Sequence, residues 1–86
     1  MMNKESWSKE NYGKPWSDAE LAIILSDAPT KLNCEKYAKA FKRGLGSIEQ
    51  IYRWAMTSKK DIKQKRGDEK FVNQIKRIAK QVGWVS

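Results

Sequence analysis

The sequence predicts an all-α domain in which three short helices form one unit and a C-terminal amphipathic helix docks on it. Three observations lead there. Apolar residues recur at three- and four-residue spacing in four separate segments, the period of one buried helix face. Each segment follows a residue able to cap a helix start: Ser17, Thr30 or Asn33, Ser47, and Asp68. No stretch alternates apolar and polar residues as a half-buried strand does.

The first helix is expected over residues 17–28. Ser17 and Glu20 have the spacing of a capping box, and Trp16 and Leu21 that of the hydrophobic staple around it. Leu21, Ile24, Leu25 and Ala28 make its buried face, and Pro29 stops it. The second helix, over 32–42, buries Cys34, Tyr37, Ala38 and Phe41, while Lys36, Lys39 and Lys42 lie elsewhere on the cylinder. Gly44-Leu45-Gly46 reads as a turn whose glycines supply positive φ. Ser47, with Gln50 three residues on, then caps a third helix over 47–58. Its inward stripe is Ile48, Ile51, Tyr52 and Ala55. Glu49, Gln50, Arg53 and Thr57 face away, with Trp54 and Met56 at the margins.

The fourth helix, over 68–82, carries the broad apolar face Phe71, Val72, Ile75, Ile78, Ala79 and Val82, too large to leave in water. Gly83 suits the position after its end, and Trp84 is placed to pack back on Ile78 or Ala79. The chain thus divides into an arm (1–14), a helical core (15–58), a basic connector (59–67) and the C-terminal helix (68–86). The arm has no period; its Trp7 is expected to fold onto the core, with contact to the minor groove or a partner as the alternative.

At 86 residues the chain buries only about 60% of its unfolded surface, so each large side chain counts. Four Trp, three Tyr and two Phe suit that demand. Trp16, Leu21, Leu25, Tyr37, Phe41, Ile48, Ile51 and Ala55 are expected to share one core.

Composition removes several function classes. There is one cysteine, Cys34, and no histidine, which excludes an intrachain disulfide, Cys/His zinc sites and Ser-His-Asp or Cys-His catalysis. Cys34, on an apolar helix face, is a small core residue. The acidic residues are scattered among lysines, with no pair set for acid–base work, and Gly44-Leu45-Gly46-Ser47 is too short for a phosphate loop and follows a helix. A non-enzyme without cofactor or metal is expected. No apolar run approaches the roughly 18 residues of a membrane span, and no signal peptide follows Met1, so a cytoplasmic protein with no membrane partner is expected.

The net charge of +8 is uneven. Residues 1–58 contribute +2, and residues 59–86, with nine basic and three acidic side chains, contribute +6. Such an excess favours a polyanionic partner, most often nucleic acid.

Three short helices, the last two joined by a tight turn, are the helix-turn-helix arrangement, whose last helix matches the major groove in width. The stretch Lys14 to Trp54 also resembles the Myb/SANT-like, homeodomain-like family. Lys14-Pro15-Trp16-Ser17 with Glu20 resembles its opening tryptophan and acidic first helix. Ala38-Lys39-Ala40-Phe41-Lys42-Arg43-Gly44 resembles its second helix and turn, and Ser47 through Arg53-Trp54 its recognition helix. The resemblance implies a three-helix, Myb/homeodomain-like bundle that binds double-stranded DNA, or, as in SANT members, a protein partner. Aligning Trp54 with that family's last tryptophan turns Gln50 and Arg53 inward, whereas the apolar stripe turns them outward. The stripe decides, because an unpaired buried charge costs several kcal/mol.

Arg53 is the candidate base reader, its fork matching guanine O6 and N7, and Gln50 a candidate for adenine. Thr57 lies on the same outer side. Ser47 and the first amides of the third helix are placed to hold a phosphate. Lys42, Arg43, Lys59, Lys60, Lys63, Lys65 and Arg66 are the further phosphate candidates. The expected function is that of a small bacterial or phage DNA-binding regulator or accessory factor, with a SANT-type protein-interaction module as the rival. Composition is silent on oligomeric state.

Overall fold

The computed structural model describes residues 14–62 and 68–84. Four helices and one short turn make up that part of the chain: α1 (Asp18–Leu25), α2 (Lys31–Ala40), α3 (Leu45–Met56), a 3-10 turn (Lys59–Asp61) and α4 (Glu69–Gln81). There is no strand among the described residues. The arm with Trp7, and the connector residues Lys63, Lys65 and Arg66, lie outside them. So does the side chain of Lys59, whose backbone opens the 3-10 turn.

α1 begins as its sequence dictates. The Ser17 hydroxyl accepts from the Glu20 amide at 3.1 Å, and the Glu20 carboxylate accepts from the Ser17 amide at 2.8 Å, the reciprocal capping box. Its end comes earlier than Pro29 would impose. The Ser26 hydroxyl donates back to the Ala22 carbonyl at 2.6 Å, and Asp27 leaves the helix to accept from the Tyr37 hydroxyl at 2.5 Å and from Lys36 Nζ at 3.2 Å. These bonds hold the Asp27 carboxyl below its ordinary range, the tyrosine contact foremost. Thr30 caps α2, accepting from the Asn33 amide at 3.1 Å.

The turn between α2 and α3 differs from expectation in its chemistry. The left-handed residue is Lys42, with φ 57°, not a glycine; Gly44 has φ −71°. The Arg43 amide donates to the Ala38 carbonyl at 2.9 Å and the Lys42 amide to the Lys39 carbonyl at 3.3 Å, the two bonds of a Schellman end. α3 then starts at Leu45 with Gly44 as its cap, so Ser47 lies inside the first turn rather than capping it, and the capping role expected for Gln50 is absent. The physical reason is Leu45. Starting the helix there packs its side chain on the core, and that burial outweighs a cap worth about 1 kcal/mol.

Trp16, Leu21, Ile24, Leu25, Tyr37, Ile48, Ile51, Tyr52 and Ala55 form the core with Cys34 and Ala38; Phe41 packs against it half-buried. α4 belongs to this core and is no outlying addition. α1 and α3 both pack on it, and α2 packs on α3. Val72, Ile75, Ile78 and Ala79 supply its buried face, with Phe71 and Val82 partly covered. Trp54, expected at a margin of α3, is buried edge-to-face against Phe71 at 5.8 Å between ring centres. Gly83, φ 103°, closes α4 as a second Schellman end, and Trp84 reaches beyond its own helix: its indole donates to the Leu25 carbonyl at 2.5 Å while the ring lies against Tyr52. No helix of the described residues is long and apolar enough to cross a membrane.

Two stability measurements check this packing. Ile51, fully buried, should cost about 2–5 kcal/mol on change to Ala in urea unfolding. An unchanged midpoint would place that side of α3 in solvent. Lys42→Gly should raise stability by up to about 1 kcal/mol, because glycine adopts positive φ without the steric cost a side chain carries.

Candidate nucleic-acid interface

α3 is held on three sides, which fixes what it can show. Ile48, Ile51 and Ala55 face the core, and Trp54 is sealed by α4. Tyr52 is anchored by its hydroxyl, which donates to the Ile24 carbonyl at 2.7 Å, and burial pushes its phenol well up. The far end of α3 is closed by Lys76 of α4, whose ammonium donates to the Ala55 carbonyl at 3.2 Å and to the Thr57 carbonyl. Burial lowers the pKa of that lysine.

What remains open on α3 is one arc. Arg53 and Glu49 are exposed on it with Gly46 and Met56, flanked by the half-buried Gln50 and Thr57. The apolar stripe therefore set the orientation of Arg53 correctly. Thr57 keeps its hydroxyl on the Arg53 carbonyl at 2.8 Å. Ser47 is half-buried in the first turn, its amide bonded to the Gly44 carbonyl at 3.1 Å. The hydrogen of that amide is therefore committed, which removes it from the phosphate site expected at the helix start. Lys42 and Lys60 are exposed on either side of α3 in sequence.

Arg43 is the correction. Expected at a phosphate, it is buried to 4% exposure. Its guanidinium carbon stands 3.9 Å from the centre of the Trp16 ring, and its two terminal nitrogens donate to the carbonyls of Lys14 and, at 3.1 Å, Pro15. Desolvation lowers its pKa, opposed by the nearby Glu20 carboxylate. Its Nε has no hydrogen-bond partner. The cause is its place beyond the end of α2, where the Schellman turn aims it back across the entry to α1. Trp16 is thus clasped by Arg43 on its face and Phe41 at its edge, 5.9 Å away. This side chain fixes the angle at which the turn delivers α3.

Sequence reasoning also missed the ties made by α4. Gln74 donates to the Trp16 carbonyl and to Asp18, each at 2.9 Å, and Arg77 pairs with Asp18 at 2.9 Å. Together they draw the Asp18 carboxyl below its ordinary range, Arg77 most. None of these pairings has a local signal, since each joins α4 to the opposite end of the described chain. Among the described residues no group of three His, Cys, Asp or Glu side chains is arranged to hold a metal.

The described residues define an all-helical architecture of four α-helices, with one exposed arc on the third. The chain belongs to the family described as the uncharacterised protein PM1205 C-terminal domain, which it matches over residues 10–86. It is 53% identical over 68 residues to the uncharacterized protein PM1205 of Pasteurella multocida (strain Pm70), an alignment covering 79% of this chain and 54% of that protein. The chain thus spans about half the length of the curated relative it matches. No solved structure matches it.

The clasp predicts its own mutants. Arg43→Ala should lower stability by about 2–3 kcal/mol, through removal of a desolvated cation–π interaction and two charge-assisted hydrogen bonds. Arg43→Lys should recover little of that, because an ammonium cannot stack on the ring and fork to two carbonyls together. Thermal or urea melts of both variants check this. Wild-type stability in Arg43→Ala would mean that the residue faces solvent after all.

Proposed function

We propose that the protein is a small binding module, not a catalyst, that takes double-stranded DNA by laying α3 in the major groove. The observation that carries this reading is the α2–turn–α3 unit. Two packed helices are joined by the short turn Phe41–Gly44, and the second is left with a polar arc that has Arg53 near its middle. A helix so held is rigid on its inner side and open on its outer one, as groove reading requires. The net charge of +8 supplies the attraction to phosphate. Arg53 reads a base, Gln50 and Thr57 flank it, and Lys42 and Lys60 with the lysines and arginine of 59–66 contact the backbone. A regulator or accessory factor on DNA is the corresponding role, with the Myb/SANT resemblance in support.

A second reading has an observation of its own. Glu49 and Met56 share the open arc with Arg53, one acidic and one apolar, and such an arc suits a protein surface; the family the chain resembles includes members that bind proteins.

Fluorescence anisotropy on labelled duplexes at two salt concentrations separates the readings. DNA affinity should fall steeply between about 50 and 200 mM salt, since binding to phosphates releases counterions. Arg53→Ala should weaken a preferred duplex by about 1–3 kcal/mol and random duplexes far less. Replacing Lys63, Lys65 and Arg66 by Gln should flatten the slope of log affinity against log salt by up to about 0.9 for each phosphate no longer neutralised. Binding that is absent, or indifferent to salt, puts the protein-interaction reading first.

A further inference from the structure

α3 carries a single acid, Glu49, which stands exposed on the open arc one helical turn before Arg53. Four-residue spacing allows opposite charges on a helix to pair. Yet neither side chain makes an ion pair or a hydrogen bond among the described residues. The acids of the α1 region are all engaged: Asp18 by Arg77 and Gln74, Glu20 by the Ser17 amide, and Asp27 by Tyr37 and Lys36. A carboxylate left unengaged on the face turned toward a polyanion repels its phosphates. Its place there makes sense where it gains something that only a carboxylate supplies.

On the DNA reading above, from which this inference follows, we propose that Glu49 is a specificity-determining residue that accepts a hydrogen bond from the amino group of cytosine. The major-groove edges decide the match. Cytosine presents a donor alone, its N4 amino group; guanine presents two acceptors, thymine an acceptor and a methyl group, and adenine a donor beside an acceptor. A carboxylate only accepts, so it bonds cytosine and is repelled by the acceptors of the other three. Arg53 only donates and has the opposite preference, for guanine. One turn of helix separates the two residues by about 6 Å, against about 3.4 Å per base pair, so their contacts fall on pairs one or two steps apart. Gly46 brings the shorter side chain within reach. It is exposed one turn before Glu49 on the same arc, and a Cβ there would meet nothing of the described chain within 4 Å. The fold thus has room for a side chain at this position, while a bare backbone lets the start of α3 approach the base edges closely. The arc therefore selects a C·G pair at the Glu49 end and a G·C pair at the Arg53 end.

Selection of the whole chain against a pool of randomised duplexes, read by sequencing the bound fraction, tests this. Wild type should enrich cytosine one or two steps from a guanine, by about tenfold over the other bases. Glu49→Ala should lose the cytosine preference and keep the guanine. Glu49→Gln should move the cytosine position toward adenine, whose N6 and N7 match a carboxamide, a change that mere loss of helix support does not produce. Both variants should hold random duplexes at least as tightly as wild type, because a charge that repels phosphate is gone. Glu49→Gln keeps the shape of the side chain and decides the matter if Glu49→Ala lowers the helical circular dichroism. Salt-sensitive binding in which wild type fixes no cytosine, or in which Glu49→Gln selects the same bases as wild type at every position, overturns the role of Glu49 and leaves the DNA reading standing. Wild-type protein that binds no duplex overturns both.

Discussion

The placement of α3 depends on one buried cation. Arg43 stacks on Trp16 and grips the carbonyls of Lys14 and Pro15, and in doing so ties the α2–α3 turn to the residues that open α1. A guanidinium is the group for this task because it offers a flat face to the indole and a fork to two acceptors at once. Without the clasp, the turn would lose its tie to the residues that open α1. With it, the chain's entry to α1, the indole and the turn form one unit, and the direction of α3 follows.

The second constraint comes from α4. A three-helix unit of this size would leave Trp54 and the end of α3 in water. α4 covers the indole with Phe71 and satisfies the terminal carbonyls of α3 with Lys76. The open surface of α3 is consequently a narrow arc rather than half a cylinder. Arg53 stands on that arc because the neighbouring positions are committed elsewhere, and this economy is what suits its side chain to probing another molecule.

What the sequence disclosed follows the range of the forces involved. The capping box at Ser17 and Glu20, the α3 stripe of Ile48, Ile51, Tyr52 and Ala55, and the closing glycine at Gly83 are local, and each is present as read. The fourth helix was legible from its apolar face alone. The misplaced start of α3 arose from competition. Ser47 is a good cap by residue type, but Leu45 gains more from burial, and tertiary packing prevailed. The positive φ fell on Lys42, because the Schellman geometry is set by where α2 must end, not by where glycines stand. Arg43 was unreadable as a core residue because its partners, Trp16 and two backbone carbonyls, are far away along the chain and carry no pattern. Of the candidate site, Arg53 was placed correctly from periodicity, while the connector cations Lys63, Lys65 and Arg66 lie outside the described residues.

The bond from the Trp84 indole to the Leu25 carbonyl spans nearly the whole described chain, as does the grip of Gln74 on Trp16. The first helix is therefore completed by residues synthesised long after it. A ribosome delivering this chain produces α1, α2 and α3 before any of the side chains that close over them, so for that interval Trp54 and Tyr52 lack their cover. Folding that waits on such distant contacts is slower than in a bundle of purely local ones. Removing a few residues from the end of α4 would loosen the beginning of the molecule, not merely fray its tail.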